Sequence, residues 1–215
     1  MLNDQIKIKE IFCSIQGEST FAGLVTTFVR LTGCPLRCGY CDTAYAFHGG
    51  NNMTIPEIVT QIKRHPASNV CITGGEPLAQ AGCKKLIKTV CDFGYTVSIE
   101  TSGAIDIADI DARAIIVMDL KTPGSGEVSK NLMSNIDKLR PHDQVKFVIC
   151  NRADFDWTRE IISKFPSLRQ QECLISPAFS DVDPKDLAEW LLEQPTNLRM
   201  QVQMHKTIWG DEPGR

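Results

Sequence analysis

The stretch LVTTFVRLTGCPLRCGYCDT, residues 24–43, decides the fold of this chain of 215 residues. Its first part, residues 24–31, is rich in β-branched and aromatic side chains and predicts a strand. Its second part is a glycine-containing loop in which Cys34, Cys38 and Cys41 follow one another at C-x3-C-x2-C spacing. A strand that runs into a loop of reactive side chains is typical of sheets with their chemistry at the strand ends.

Strand-like and helix-like segments alternate after this stretch. Thr54, Pro56 and Glu57 form a helix start, in which Thr54 caps the helix and Glu57 completes a capping box. We predict helices at 54–64, 78–93, 154–165 and from Asp183 onward, and strands at 69–73, 95–100, 114–120, 144–149, 173–176 and 198–203. A strand at 6–14 precedes them, and we expect it to be antiparallel at an edge of the sheet. The alternation predicts parallel strands with helices packed outside.

Seven such parallel strands fall one short of a closed eight-fold barrel. The segment between the strands at 95–100 and 114–120 is also too short for a crossover helix with its two loops. We therefore predict an α/β fold, namely a partial (open) parallel β/α barrel with reduced helix content. The chain length fits a single domain over residues 1–215.

Charge and hydropathy exclude several classes of protein. Lys and Arg total 23 against 26 Asp and Glu, for a net charge of −3, so no basic excess indicates non-specific nucleic-acid binding. No apolar stretch approaches the roughly 18 residues of a membrane helix, and residues 1–5 show no signal-peptide pattern. We expect a cytoplasmic protein.

Polar and glycine-rich loops follow the predicted strands at one end of the sheet. Besides the cysteine loop, they are GGEP at 74–77, TSG at 101–103, KTPGSG at 121–126 and Pro177. Because the carboxyl ends of parallel strands lie at the same edge of a sheet, we expect the active site there.

Nine cysteines are many for a reducing compartment and indicate metal or redox chemistry. The six outside the loop are expected to be small buried core residues. The three in the loop have two interpretations. A structural zinc site would need a fourth ligand from Cys13, Cys71 or His48. A [4Fe–4S] cluster can take three cysteines and leave one iron open for a small molecule, and thiolate ligands at this spacing favour it.

The cysteine spacing, with the aromatic Tyr40 before the last cysteine, resembles the signature of radical S-adenosylmethionine (SAM) enzymes. The sequence GGE at 74–76 matches the second motif of that family, at the end of the next strand. The resemblance implies a barrel of the radical SAM type. It also implies that Cys34, Cys38 and Cys41 hold a [4Fe–4S] cluster whose fourth iron binds the amino and carboxyl groups of SAM.

Segments along nearly the whole chain are similar to the 7-carboxy-7-deazaguanine synthase family. They are IQGE at 15–18, FVRLTGC at 28–34, CDT at 41–43, ITGGEP at 72–77, ETSG at 100–103 and QVQMHK at 201–206. The resemblance implies the conversion of 6-carboxy-5,6,7,8-tetrahydropterin to 7-carboxy-7-deazaguanine with release of ammonia, a step toward queuosine and other deazapurines. It also implies Mg²⁺, a homodimer and an electron donor such as flavodoxin or ferredoxin.

The same resemblance implies roles for individual residues, with the radical chemistry carried by the cofactors and no catalytic side chain beyond them. The pterin would be bound by Ile15, Gln16, Gly17, Arg30 and Thr101. The SAM molecule would be held by Gly75, Glu76, Gly103, Asp119, Lys121, Ser176 and Pro177. The magnesium ion would be bound by Thr43.

Two of these residues have a structural alternative, and two others depart from the family pattern. Arg30 offers a two-pronged partner to the substrate carboxylate, or forms an ordinary surface ion pair. Thr43 is a magnesium ligand, or else a helix cap or a loop hydroxyl. Ser19 and Thr20 follow Glu18 where the family often has a glycine, so we expect the substrate loop to differ locally.

Two other functions remain open on the sequence. One is an activase that installs a glycyl radical on a partner protein, which would share the small size and the cysteine motif. The other is a zinc-stabilised binding module without enzyme activity. The segments at 15–18 and 41–43 favour the enzyme that acts on a small molecule.

Overall fold

A computed structural model describes residues 5–179, 181–193 and 197–210, together with Glu212 and Gly214. The strands are β1 (Gln5–Ile15), β2 (Val25–Leu31), β3 (Asn51–Thr54), β4 (Asn69–Gly74), β5 (Thr96–Thr101), β6 (Ile115–Asp119), β7 (Gln144–Ile149), β8 (Glu172–Pro177) and β9 (Leu198–Met200). The α-helices are α1 (Ile55–Ile62), α2 (Cys83–Asp92), α3 (Arg152–Lys164), α4 (Pro184–Glu193) and α5 (Met204–Trp209).

The strands of the described residues form one sheet in the order β3-β1-β2-β4-β5-β6-β7-β8-β9. From β2 through β9 each neighbouring pair is parallel, which confirms the seven parallel strands. β1 is antiparallel to β2, as predicted. The prediction that it lies at an edge of the sheet is wrong, because β1 also pairs with β3. The outer position belongs to β3, whose residues Asn51 and Asn52 gave no strand signal in the sequence. The sheet stays open, with β3 and β9 as its two edges.

The helices confirm the reduced helix content. Among the described residues, no α-helix connects β5 to β6 or β6 to β7. Turns and bends form the first connection, and three short 3-10 helices lie in the second. α1 begins with the predicted capping box, in which the Thr54 hydroxyl accepts from the Glu57 amide and Glu57 accepts from the Thr54 amide. Within the described residues, no helix has the length and hydropathy that crossing a membrane requires.

Two predicted boundaries are wrong. The helix predicted at 78–93 begins only at Cys83, because a 3-10 turn at Pro77–Ala79 and Gly82 precede it. The strand predicted at 198–203 ends at Met200, and the residues after Gln203 form helix α5.

The core lies between the sheet and its helices. In β4, the residues Val70, Cys71 and Ile72 are fully buried, as expected for a strand covered on both faces. The expectation of buried cysteines outside the loop is confirmed for Cys71, Cys83, Cys91 and Cys173. It is wrong for Cys13 and Cys150, which are half-buried.

Candidate active site

A cavity of about 290 Å³ opens at the carboxyl ends of the parallel strands, where the sequence predicts the active site. Its wall brings together residues from loops far apart in the chain. Of the predicted site residues, those that line it are Ile15, Gln16, Gly17, Arg30, Cys34, Cys38, Cys41, Thr43, Gly75, Thr101, Asp119 and Lys121. Those that do not line it are Glu76, Gly103, Ser176 and Pro177. The ligand roles of all these residues stay predictions.

The cysteine loop is held in place largely by its own backbone. The Leu36 amide donates to Cys34 Sγ at 3.4 Å. The Arg37 side chain donates from Nη1 to the carbonyls of Cys34 and Leu36, at 2.8 and 2.6 Å. The Gly39 amide donates to the Ser125 carbonyl at 3.0 Å, which ties the loop to the segment after β6. These bonds keep all three thiols at the cavity wall.

The environment of the three thiols suits an iron–sulfur centre. Burial raises the pKa of Cys34, Cys38 and Cys41, while the Lys121 ammonium opposes that effect at each of them. Backbone N–H groups directed at sulfur, as at Cys34, are typical of cysteines that ligate such clusters. Among the described residues, no three His, Cys, Asp or Glu side chains converge on one point. A [4Fe–4S] cluster does not require convergence, because each cysteine binds a different iron, whereas zinc does.

Gly75 fits against the cysteine loop because it has no side chain. Its amide donates to the Leu31 carbonyl at 3.2 Å, and the next amide donates to the Gly33 carbonyl at 2.8 Å. A Cβ at position 75 would lie 2.3 Å from the Gly33 carbonyl oxygen and 2.7 Å from Cys34 Cβ. The GGE motif therefore sets the position of the first cysteine by direct backbone contact.

Gly75→Ala is expected to weaken cluster binding about tenfold or more, since overpacking costs of about 1–3 kcal/mol would displace the Cys34 backbone. The measurement is iron bound per chain after anaerobic reconstitution over a range of iron and sulfide concentrations. The matched control is Gly39→Ala, where an added Cβ meets no atom within 4 Å. Equal iron loading by both variants and the natural chain would contradict the contact role of Gly75.

Near the cysteine loop, the cavity wall carries a buried cation and polar atoms without partners. Lys121 Nζ donates to Asp119 Oδ2 at 2.8 Å and lies 5.4 Å from the centre of the Tyr40 ring. Burial lowers the pKa of Lys121. The charges of Asp119 and nearby Cys38 raise it by more than burial lowers it, so the pKa lies above its ordinary value. Asp119 Oδ1 and the Tyr40 hydroxyl are buried without a hydrogen-bond partner among the described residues. Such atoms in a cavity wall suit a polar ligand, and SAM offers the hydroxyl, ammonium and carboxylate groups to satisfy them.

Glu76 points away from the cavity and is fully buried. Its carboxylate accepts hydrogen bonds from the Leu78 amide, the Thr101 hydroxyl, and both the amide and hydroxyl of Ser102, at 2.5–3.0 Å. In this structure the carboxylate joins the loops after β4 and β5. Four donors of the chain already contact its oxygens, and its predicted contact with SAM stays a prediction.

Three further residues predicted to hold SAM lie behind the wall. Gly103 has a φ of +70°, and its carbonyl accepts from the Leu132 amide and the Asn135 side chain. Pro177 is the buried last residue of β8. The Ser176 hydroxyl is buried without a partner among the described residues, so of the three it alone has an unused polar atom.

The residues predicted to bind the pterin line the opposite part of the cavity. Gln16 Nε2 donates to Glu100 Oε1 at 3.1 Å, and the Thr73 hydroxyl donates to Glu100 Oε2 at 3.0 Å. The Thr101 hydroxyl is already used by Glu76. Phe12 and Phe28 stack with ring centres 5.0 Å apart and supply an apolar surface. The cavity thus offers both apolar area and amide or carboxylate groups to a flat heterocycle.

Thr43 lies beside a carboxylate at the cavity wall. Its hydroxyl donates to Asp42 Oδ1 at 2.8 Å. It occupies the N-cap position of a 3-10 helix at Ala44–Ala46, but its side chain makes no capping bond, so of the two structural alternatives the hydroxyl is that of a loop residue. A hydroxyl and a carboxylate oxygen together fit the oxygen preference of Mg²⁺ better than the hydroxyl alone.

Residues 16–20, which we term the strap, follow β1 and were only partly predicted as functional. Gln16, Gly17 and Glu18 of the strap line the cavity. The Glu18 carboxylate pairs with Lys146 of β7 and accepts from Gln203 Nε2 at 2.8 Å. Thr20 and Gln144 exchange two hydrogen bonds, of 3.0 and 2.6 Å. Lys146 did carry a signal in the sequence, because a lysine inside the apolar strand QVKFVI needs a buried partner.

Two contacts explain the local sequence of the strap. Ser19 has a φ of +64°, which favours glycine, and its hydroxyl accepts from the Phe21 amide at 3.2 Å. A Cβ at Gly17 would lie 2.1 Å from His205 Nδ1. The strap therefore packs directly on the segment that begins α5.

Comparisons with known proteins agree with this site. The model of the radical SAM superfamily matches residues 28–191. The 7-carboxy-7-deazaguanine synthase of Koribacter versatilis is 40% identical over 96% of this chain and 98% of that protein. The synthase of Chlorobaculum tepidum is 39% identical over 96% of both chains.

Solved structures show the same fold. The crystal structure of QueE from Escherichia coli covers 94% of this chain and 95% of its own, with a TM-score of 0.77 at 22% identity. Streptococcus suis SuiB bound to S-adenosylmethionine covers 80% of this chain and 45% of its own, with a TM-score of 0.55 at 15% identity. On the match to the family model and on these relatives, the chain belongs to the radical SAM superfamily and, within it, to the 7-carboxy-7-deazaguanine synthase family.

Proposed function

We propose that this chain converts 6-carboxy-5,6,7,8-tetrahydropterin to 7-carboxy-7-deazaguanine with release of ammonia. The observation that carries the proposal is that one cavity is lined by three cysteine thiols and by a half-buried arginine, Arg30. Family membership supports the reaction, since the curated relatives are named for this product. The thiols suit the redox centre and the arginine suits a carboxylate substrate.

The cofactors of this enzyme are a [4Fe–4S] cluster, SAM and Mg²⁺, and their donors are present in the chain. Cys34, Cys38 and Cys41 would hold the cluster, and Asp42 with Thr43 would bind magnesium. When bound, the cluster and SAM supply a carbon-centred radical by reductive cleavage of the sulfonium. The Asp119–Lys121 pair offers groups of both signs to the amino-acid part of SAM.

The chain itself orients the pterin and excludes water. Arg30 offers its guanidinium to the substrate carboxylate. Gln16 and Glu100 present an amide and a carboxylate to the polar edge of the heterocycle. The strap and the segment at 203–206 line the cavity, and the stacked rings of Phe12 and Phe28 keep one side apolar.

The test is an anaerobic assay of the reconstituted protein with the carboxylated tetrahydropterin, SAM, Mg²⁺ and a reductant. Mass spectrometry should detect the deazaguanine, and release of ammonia should match it. A protein loaded with iron that leaves the pterin unchanged would overturn the proposal. Zinc bound without iron would support the binding-module alternative instead.

Arg30→Ala is expected to raise the KM for the pterin about 10²-fold, because it removes the cation from a charge pair that bound substrate would bury and that is worth about 2–5 kcal/mol. Steady-state kinetics under anaerobic conditions measure it. Arg113→Ala is the control, because Arg113 is half-exposed, pairs with Asp92 and Asp111, and does not line the cavity. An unchanged KM in Arg30→Ala would remove this residue from the substrate site.

The remaining features are proposed from the family resemblance. We propose a homodimer in the cytoplasm that receives electrons from a flavodoxin or a ferredoxin, with residues 1–215 as one domain. A small acidic redox protein that supports turnover in place of a chemical reductant would identify the donor. Size determination by light scattering would give the oligomeric state.

A further inference from the structure

The guanidinium of Arg30 is held from behind by residues that the resemblance does not assign. Arg30 Nε donates to Glu10 Oε1 at 2.7 Å, and the Tyr45 hydroxyl donates to the same oxygen at 2.7 Å. The rings of Phe12 and Tyr45 lie 5.7 and 5.8 Å from the guanidinium carbon. Arg30, Phe12 and Tyr45 line the cavity, whereas Glu10 does not. Glu10 therefore contacts the side of Arg30 that faces away from the cavity.

An irregularity in the sheet brings Glu10 to this position. The register between β1 and β2 pairs Ile8 with Leu31, then shifts, and pairs Glu10 with Arg30. Continuing the first register without the shift would place Lys9 opposite Arg30, so that two cations would face each other. Cross-strand partners share one face of a sheet, and a bulge of this kind re-aims a side chain. The bulge thus exchanges a repulsive pair for an attractive one.

The contacts leave one edge of the guanidinium available. Glu10 occupies Nε, and within the described residues neither Nη nitrogen of Arg30 has a hydrogen-bond partner. Two parallel N–H groups on that edge match the two oxygens of a carboxylate.

We propose that Glu10 and Tyr45 are positioning residues that make the enzyme selective for a carboxylated pterin. By fixing Nε and the plane of the guanidinium, they direct the Nη edge of Arg30 at the substrate carboxylate. This inference rests on the proposed function, because it needs the carboxylate of the pterin to be the group that Arg30 binds. It assigns the selectivity to a contact outside the cavity.

The test compares two ligands and three variants of the reconstituted protein. The ligands are the fluorescent oxidised compounds 6-carboxypterin and pterin, which differ by the carboxylate alone, and the readout is equilibrium binding by fluorescence. Glu10→Ala should weaken binding of 6-carboxypterin tenfold or more and change binding of pterin less than twofold. Glu10→Gln keeps an oxygen that accepts from Nε and should restore affinity to within a few-fold of the natural chain. Tyr45→Phe keeps the ring and should give an intermediate loss.

Turnover supplies a second readout. For the carboxylated tetrahydropterin, Glu10→Ala should raise KM while kcat stays within about twofold, since the reacting atoms are not touched. If Glu10→Ala bound both ligands more weakly by the same factor, or bound both as tightly as the natural chain does, the positioning role would be overturned. Should Glu10→Ala fail to fold, as judged by its melting temperature, selectivity in Tyr45→Phe decides. If the natural chain converts no pterin, the proposed function itself is overturned. If only the positioning role fails, Arg30→Ala still has a raised KM while the Glu10 variants have the KM of the natural chain.

Discussion

Cys38→Ala is expected to abolish both the brown colour of the anaerobically reconstituted protein and its activity. Cys38 lies between the other two cysteines of the loop, and all three thiols line the cavity. Two thiolates leave two corners of a [4Fe–4S] cluster without protein ligands, so the centre is not retained. The measurements are iron and sulfide per chain, the broad visible absorbance and the turnover assay.

A cysteine outside the loop provides the matched control. Cys91 is 6% exposed and packs in the core at the end of α2. Cys91→Ala removes a buried thiol of the same size without touching the cavity, so colour and activity should persist. A coloured and active Cys38→Ala variant would contradict its assignment as a cluster ligand.

Lys146→Met is expected to lower the melting temperature by about 10 °C near neutral pH. It removes the partner of the Glu18 carboxylate, and both side chains of the pair are 13% exposed. An unpaired buried charge costs about 3–5 kcal/mol, and each kcal/mol shifts the midpoint by about 2–4 °C in a chain of this size. Thermal unfolding of the reconstituted protein measures the change.

The loss of melting temperature in Lys146→Met should depend on pH, because the pKa of Glu18 differs between the two proteins. Burial raises the pKa of Glu18, but Lys146 lowers it more, so in the natural chain the pKa lies below the ordinary value of 4.5. The pair therefore contributes stability above pH 4.5 and loses it as the pH falls through the folded-state pKa. Without Lys146, burial raises the pKa of Glu18, and the variant is destabilised as the pH rises above 4.5. The gap between the two melting temperatures should narrow from about pH 7.5 to about pH 5.5.

The double variant Glu18→Gln/Lys146→Met is the control for lost packing. It leaves no charge in the strap pair, and Gln can still accept from Gln203. Its melting temperature should recover most of the loss, because a neutral pair carries no desolvation cost of a lone ion. If the double variant were as unstable as Lys146→Met, packing and not charge would be the cause.

Local signals in the sequence predicted much of the fold. Thr54 and Glu57 gave the start of α1, and the β-branched run before Cys34 gave β2. The short segment before β6 predicted the missing crossover helix. Each of these rests on neighbours within a few residues, where propensity and capping chemistry decide the structure.

Contacts between distant residues explain what the sequence did not show. β3 forms because Asn51 and Asn52 pair with β1, although neither residue favours a strand. The pairing of Glu10 with Arg30 depends on a one-residue register shift, which no local pattern reveals. Glu76 was expected at SAM because of its motif, yet its carboxylate bonds to the loop after β5.

The contacts of the strap affect how the chain folds during its synthesis on the ribosome. Thr20 bonds to Gln144, and Glu18 bonds to Gln203, across sequence separations of 124 and 185 residues. Contacts of such long range close late, since the entropy of the intervening chain opposes them until the rest of the sheet has formed. A nascent chain thus lacks one side of its reaction chamber until the residues past Gln203 have left the exit tunnel.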